Sequence, residues 1–356
     1  MSHHSNALYA LPVTIPGLQY FHSHESFPLE AGGALDSLTI AYHTYGTLNE
    51  ERSNVIWVCH ALTANSDVAD WWSGLFGPDN VFDPAQYFIV CANIIGSCYG
   101  STCARSINAA TGRAWGADFP LVSIRDIARA HDLLRTHLGI ESVELCIGGS
   151  CGGHQAMELA WILGDRLKKL ALLVSAARES AWAIAIHESQ RMAIQADASW
   201  KEDRNDAGAE GLRAARAIGL LTYRTVEAYR NDQSDDDGRL EQFRAGSYVQ
   251  YQGDKLVRRF YAQCYWHLTR TLDTHHFGRG RGGLENALQQ LTVPTLIFSI
   301  EKDLLIPPFE QQLMAQHLPN ARFYSLDSPY GHDGFLVETA ALKPLLLDFL
   351  HSGLSN

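Results

Sequence analysis

The chain has 356 residues, 46% hydrophobic and 19% charged, with a net charge of −11, a soluble globular balance with enough apolar material for a large core. The acidic surplus excludes a nucleic-acid partner, because nothing here would neutralise a phosphate backbone, while a small anionic substrate would feel only local charge. No apolar run reaches the roughly 18 to 20 residues of a membrane span, the N-terminus has no basic-then-apolar leader, and seven unpatterned cysteines point to reduced thiols, no metal and a cytoplasmic setting.

Taken in order, Phe27 to Asn49 alternates apolar and polar stretches, with Leu38 to Gly46 (LTIAYHTYG) the clearest strand, and predicts an opening antiparallel hairpin. Asn54 to Cys59 (NVIWVC) is a short buried strand that runs straight into His60, Ala61, Leu62 and Thr63. Tyr87 to Asn93 (YFIVCAN) is another. It leads into Ile94 to Ser106, a Gly, Ser and Cys run that lacks the Gly-Lys-Ser/Thr of a phosphate loop and is read as a tight active-site wall. Within Asp118 to Ile140, Ile124, Ile127, Ala128, Leu133, Leu134 and Leu138 recur near a 3.6 period and predict an amphipathic helix. A strand at Val143 to Ile147, a helix at His154 to Leu163 and a strand at Leu170 to Ser175 follow.

The alternation stops at about Arg178. From there to Leu288 the chain reads as helices with polar loops, the acidic run Asp235 to Asp237 among them. It resumes with a strand at Val293 to Ser299, a helix near Phe309 to His317, a strand at Arg322 to Ser325 and a closing helix from Ala340 to His351. The expected architecture is α/β, a mostly parallel doubly wound sheet formed by residues 1–177 and 289–356, with a helical lid inserted at 178–288.

Chemistry concentrates where Gly148, Ser150 and Gly152 satisfy G-x-S-x-G between a strand and a helix, the nucleophile elbow of the α/β-hydrolase fold. A serine hydroxyl needs an imidazole to take its proton, and the imidazole needs a carboxylate to fix its tautomer and stabilise its cation. Asp303 lies just past the strand at Val293 to Ser299, and His332 sits in the glycine-flanked loop YGHDG before the last helix. The chain order Ser150, Asp303, His332 is that of the fold. The backbone N–H groups of Leu62 and Cys151 are placed to form an oxyanion hole. His60, taken alone, reads as a satisfied core histidine.

These motifs together carry a more specific resemblance. HALT at His60 to Thr63, GSCYGST at Gly96 to Thr102, DFPLVSIRD at Asp118 to Asp126, GGSCGG at Gly148 to Gly153, LLTYRT at Leu220 to Thr225, SYVQYQGDKLVRRF at Ser247 to Phe260 and GHDGFL at Gly331 to Leu336 resemble the homoserine O-acetyltransferase family over nearly the whole chain. The resemblance implies an acyl-CoA-dependent transferase of methionine biosynthesis, with acetyl-CoA as co-substrate, L-homoserine as acceptor, no bound cofactor, and a cytoplasmic homodimer packed through its lid. It also implies that Arg216 and Tyr223 face the amino-acid substrate and that Asp333 meets its amine. Cys151, His154 and Ala64 depart from the family pattern, and the smaller Cys151 side chain is expected to reshape the acyl pocket. A succinyl donor, a serine acceptor, an esterase or thioesterase, and a catalytically silent binding protein stay open as alternatives.

Overall fold

Short apolar runs with β-branched residues form the centre of the molecule. In the computed structural model, which describes residues 12–352, they form the middle of one eight-stranded sheet. Its strands are β1 (Gln19–Ser23), β2 (Leu38–Tyr45), β3 (Val55–Cys59), β4 (Phe88–Ala92), β5 (Leu145–Gly149), β6 (Leu170–Leu173), β7 (Thr295–Ile300) and β8 (Ala321–Leu326). Their spatial order is β1-β2-β4-β3-β5-β6-β7-β8, and only β2 runs against its neighbours. The stretch read as lacking a leader falls partly on residues 1–11, which lie outside the described residues.

The central strands β3, β5, β6 and β7 are buried along their whole length, as a parallel sheet covered on both faces requires. Successive side chains point to opposite faces. Val55, Trp57 and Cys59 of β3 therefore join one apolar cluster, while Ile56 and Val58 join the other. The first cluster is covered by α1 (Ile124–His137) and α2 (Cys151–Leu163), the second by the helix after β8, Thr339–His351. Helix α1 begins with a capping box, Ser123 and Asp126 each closing the other's backbone N–H.

Between β6 and β7 the chain leaves the sheet and forms α3 (Ala181–Gln195), α4 (Ala209–Tyr223), α5 (Val226–Gln233), α6 (Arg244–Val257), α7 (Ala262–Asp273) and α8 (Leu284–Gln290). Helix α4 packs between α3 and α6, and α7 packs on α3. Close approach of α3 and α4 relies on Gly211, where a Cβ would fall 2.5 Å from Ile194 Cα. After β7 come α9 (Pro308–His317), β8 and α10 (Thr339–His351).

Two local expectations need correction. Strand Leu38–Tyr45 does not close a hairpin within Phe27 to Asn49. Its antiparallel partner is the earlier Gln19–Ser23, and the intervening segment holds only a two-residue ladder of Phe27–Pro28 with Ala34–Leu35. The QYFHS segment is an edge strand with no buried face, so its pattern lacks the apolar alternation that would reveal it. The helix expected from His154 starts three residues earlier, at Cys151. Its first turn carries two glycines, residues with low helix propensity, because neighbouring chain leaves no room for a side chain. A Cβ on Gly152 would lie 2.2 Å from the Cys59 carbonyl oxygen, and one on Gly153 would lie 1.9 Å from Ser175 Oγ.

Candidate active site

The β5-to-α2 reversal places Ser150 at φ +56°, ψ −127°, a backbone region that side-chain-bearing residues rarely occupy. It is held there by its own N–H donating to Leu173 O at 2.9 Å and by Ser175 Oγ donating to its carbonyl at 2.6 Å. Ser150 Oγ lies 2.8 Å from His332 Nε2, and His332 Nδ1 lies 2.7 Å from Asp303 Oδ2. The carboxylate fixes the proton on Nδ1, so Nε2 is free to accept the serine proton. Asp303 is itself pinned, its Oδ1 accepting from the N–H groups of Leu305 and Ile306 at 2.9 Å each. Burial alone would lower the His332 pKa, but the charge and hydrogen bond of Asp303, with Asp333 adding to them, raise it above its ordinary value.

Cys151 opens α2, so its N–H belongs to the first turn, which has no partner inside the helix. Leu62 follows β3, whose Cys59 sits beside Gly148 of β5 in the sheet, and it lines the same cavity as Ser150. The Cys151 side chain points elsewhere. Its Sγ donates to His60 O at 3.8 Å and lies 3.7 Å from the Gln155 amide, and burial pushes the thiol up to about 12. The expectation that it reshapes the acyl pocket is therefore corrected: from the first helical turn its Cβ projects into the core. His154 is likewise interior, stacked at 4.1 Å on His275, with Nε2 accepting from Ala176 N at 3.4 Å. His60 donates from Nδ1 to Ala61 O at 2.8 Å and accepts at Nε2 from Ile94 N at 3.2 Å, a core histidine with both nitrogens satisfied.

A cavity of about 790 Å³ opens over the triad and is lined by Ser150, His332, Leu62, Arg216, Tyr223 and Asp333. The Arg216 guanidinium lies over the Tyr223 ring at 5.3 Å, and that ring is 6.0 Å from His332. Asp333 is paired with Arg224 at 2.9 Å, and Arg224 lies over Tyr330 at 5.5 Å. The sequence reading missed Arg224, which is 109 positions away along the chain. It also missed His187, Lys255 and Arg259, which line the cavity from the helical insertion; helical periodicity alone does not say which face of an inserted helix looks inward. Of the run Ile94 to Ser106, only Tyr99 reaches the cavity, accepting at its hydroxyl from Arg259 at 2.7 Å, and the rest packs into the core. The whole run is therefore not an active-site wall. Among the described residues, no group of three His, Cys, Asp or Glu side chains could hold a metal ion.

Comparison with known proteins places this geometry. Residues 54–339 match the model of the alpha/beta hydrolase fold. The chain is 42% identical to a homoserine O-acetyltransferase of Cyclobacterium marinum over 93% of its own length and 94% of that protein. Among solved structures it is similar to the homoserine O-acetyltransferase of Bacillus anthracis, with a TM-score of 0.88 at 23% identity, covering 95% of this chain and 98% of that one. It also resembles an acetylester hydrolase of Corynebacterium glutamicum, with a TM-score of 0.81 at 22% identity over 94% and 96% of the two chains. Those two likenesses show the fold alone, since one shape serves both a transferase and a hydrolase. The identity to the Cyclobacterium protein, at nearly full length on both sides, is what discriminates: the chain belongs to the homoserine O-acetyltransferase family.

Proposed function

We propose that the protein moves an acetyl group from acetyl-CoA to the side-chain hydroxyl of L-homoserine, giving O-acetyl-L-homoserine and coenzyme A as a step of methionine biosynthesis. The observation that carries the reading is the hydrogen-bonded line Ser150–His332–Asp303 beneath a cavity that also holds Arg216. Ser150 Oγ attacks the thioester carbon while His332 Nε2 takes its proton. The tetrahedral oxyanion is received by the N–H groups of Leu62 and Cys151. Collapse breaks the carbon–sulfur bond, and the proton on His332 leaves with the coenzyme A sulfur. In the second half-reaction His332 takes the homoserine hydroxyl proton, the hydroxyl oxygen attacks the acetyl carbon, and Ser150 Oγ departs with that proton.

In this reading Arg216, with Tyr223 beneath it, binds the substrate carboxylate through two parallel hydrogen bonds. Asp333, oriented by Arg224, faces the ammonium. The inserted helices act as a lid that keeps water from the acetyl-enzyme until the amino alcohol arrives. No cofactor is needed beyond the co-substrate. The protein works in the cytoplasm as a homodimer joined through the lid, where Leu221, Val226, Leu240, Phe243 and Tyr251 are exposed. No helix of the described residues is long and apolar enough to cross a membrane.

The test follows thiol release from acetyl-CoA or succinyl-CoA with homoserine, serine or water. Acetyl-CoA with homoserine should be fastest by at least about tenfold, equivalent to roughly 1.4 kcal/mol in barrier. Mass spectrometry of protein mixed with acetyl-CoA alone should find one acetyl group on Ser150, and none on Ser150→Ala. Thiol release equally fast without an amino acid would make the protein a thioesterase.

A further inference from the structure

The cavity has a second histidine–carboxylate pair that the reaction above does not use. His187 of α3 is buried, yet it lines the cavity with Ser150, Arg216 and Tyr223. Its Nδ1 lies 2.8 Å from Asp273 Oδ1, and Asp273 is held at its other oxygen by Arg191 at 2.7 Å. A nitrogen that close to a carboxylate carries the proton, so the neutral ring has its lone pair on Nε2. Nε2 has no partner among the described residues and remains accessible from the cavity. Leu272 and Leu305 line the cavity too and can offer no hydrogen bond there.

The position of this lone pair selects its ligand. His187 and Gln190 are three residues apart on one face of α3. Gln190 donates to Ala215 O at 3.3 Å, and a Cβ on Gly219 would sit 2.8 Å from its amide nitrogen and 3.1 Å from the Tyr223 ring. Tyr223 is the ring beneath Arg216. The oriented acceptor of His187 therefore shares a wall with the guanidinium assigned to the substrate carboxylate. In an α-amino acid the group next to that carboxylate is an ammonium, a donor with three hydrogens and no lone pair. Asp333, oriented by Arg224, can accept from part of that ammonium, and its remaining hydrogens call for a second acceptor.

We propose that the His187–Asp273 pair is a specificity-determining contact for the acceptor, in which His187 Nε2 accepts a hydrogen bond from the α-ammonium while Asp273, braced by Arg191, holds the ring in that tautomer. The inference rests on the acetyl-transfer reading and deepens it on the acceptor side.

The experiment compares L-homoserine with 4-hydroxybutanoate, the same hydroxy acid without its ammonium, in the wild type, His187→Leu and His187→Asn. Acetylation of Ser150 by acetyl-CoA alone is measured on the same samples. His187→Leu should acetylate at the wild-type rate but lose about tenfold or more of the kcat/KM preference for homoserine over 4-hydroxybutanoate, the ordinary worth of a hydrogen bond to a charged group. The loss should fall mainly on KM. His187→Asn, which keeps an acceptor on a shorter side chain, should recover part of the preference and supplies the answer if the leucine variant does not fold. An unchanged preference in both variants overturns the inference alone, as does equal slowing of both half-reactions, which would mean a merely structural role. A wild type that acetylates Ser150 but delivers the acetyl group only to water overturns the function, and the inference with it.

Discussion

Replacing Gly152 with alanine would test whether the elbow works by close approach of two backbones. The added Cβ would lie 2.2 Å from the Cys59 carbonyl oxygen and 3.0 Å from its carbon, where ordinary contacts begin near 3.4 Å. Relief requires α2 and β3 to part by about 1 Å, and the obstacle is backbone rather than a side chain that can rotate away. Overpacking of this kind costs about 1 to 3 kcal/mol, and here the upper end is expected because both partners are buried elements of the sheet core. The displacement also lies between the two ends of the proposed oxyanion site, since Cys59 leads to Leu62 and Gly152 follows Cys151. A misplacement of about 1 Å costs on the order of a hundredfold in rate. Denaturant unfolding should show a lower midpoint at unchanged slope, and rapid-quench acetylation by acetyl-CoA should slow by about two orders of magnitude. A wild-type midpoint together with acetylation within twofold of wild type would refute the close-approach account.

Because the His332 pKa is raised and the base must be neutral to act, kcat/KM should rise with pH through a value above 6.5. The same raised pKa stabilises the fold below the unfolded histidine value, a contribution lost as pH rises through the folded one, so activity and this stabilising term have opposite pH dependence. Asp303→Asn should move the rate limb to lower pH, and an unmoved limb would assign it to another group. Glu158, 2% exposed, joins Arg125 at 3.2 Å and Arg281 of the loop before α8. Glu158→Ala should cost about 3 kcal/mol in unfolding free energy by leaving the buried Arg281 without a countercharge, while Arg125 keeps Glu30 at 2.9 Å, and a loss under about 1 kcal/mol would show that solvent already screens Arg281. Arg216→Ala should raise the homoserine KM while leaving acetylation of Ser150 nearly intact, and equal loss in both half-reactions would remove Arg216 from the acceptor pocket.

What the sequence disclosed depended on how local the signal was. The central strands announce themselves as apolar runs because both their faces are buried, and Ser150, Asp303 and His332 could be singled out because each follows a strand in a fixed chain order. Gln19–Ser23 was missed because an edge strand with no buried face has no alternation to detect. The side chain of Cys151 was misjudged because it belongs to the core although its backbone sits directly after the nucleophile, and residue type alone does not separate the two. Arg224 beside Asp333 and Asp273 beside His187 were invisible for another reason. Each pair joins residues 86 or more positions apart, and only tertiary packing decides which of several arginines or acids of the inserted helices meets which partner.

The backbone at Ser150 puts its reactivity at odds with the economy of the fold. At φ +56°, ψ −127° any residue with a side chain is less at ease than glycine, by about 1 to 3 kcal/mol. Selection for durability alone would therefore discard the nucleophile, and the most durable form of this protein should be an inert one, with glycine at position 150. Such a form would keep its cavity and its inserted helices, and on the proposed reading would hold acyl donor and acceptor without consuming either.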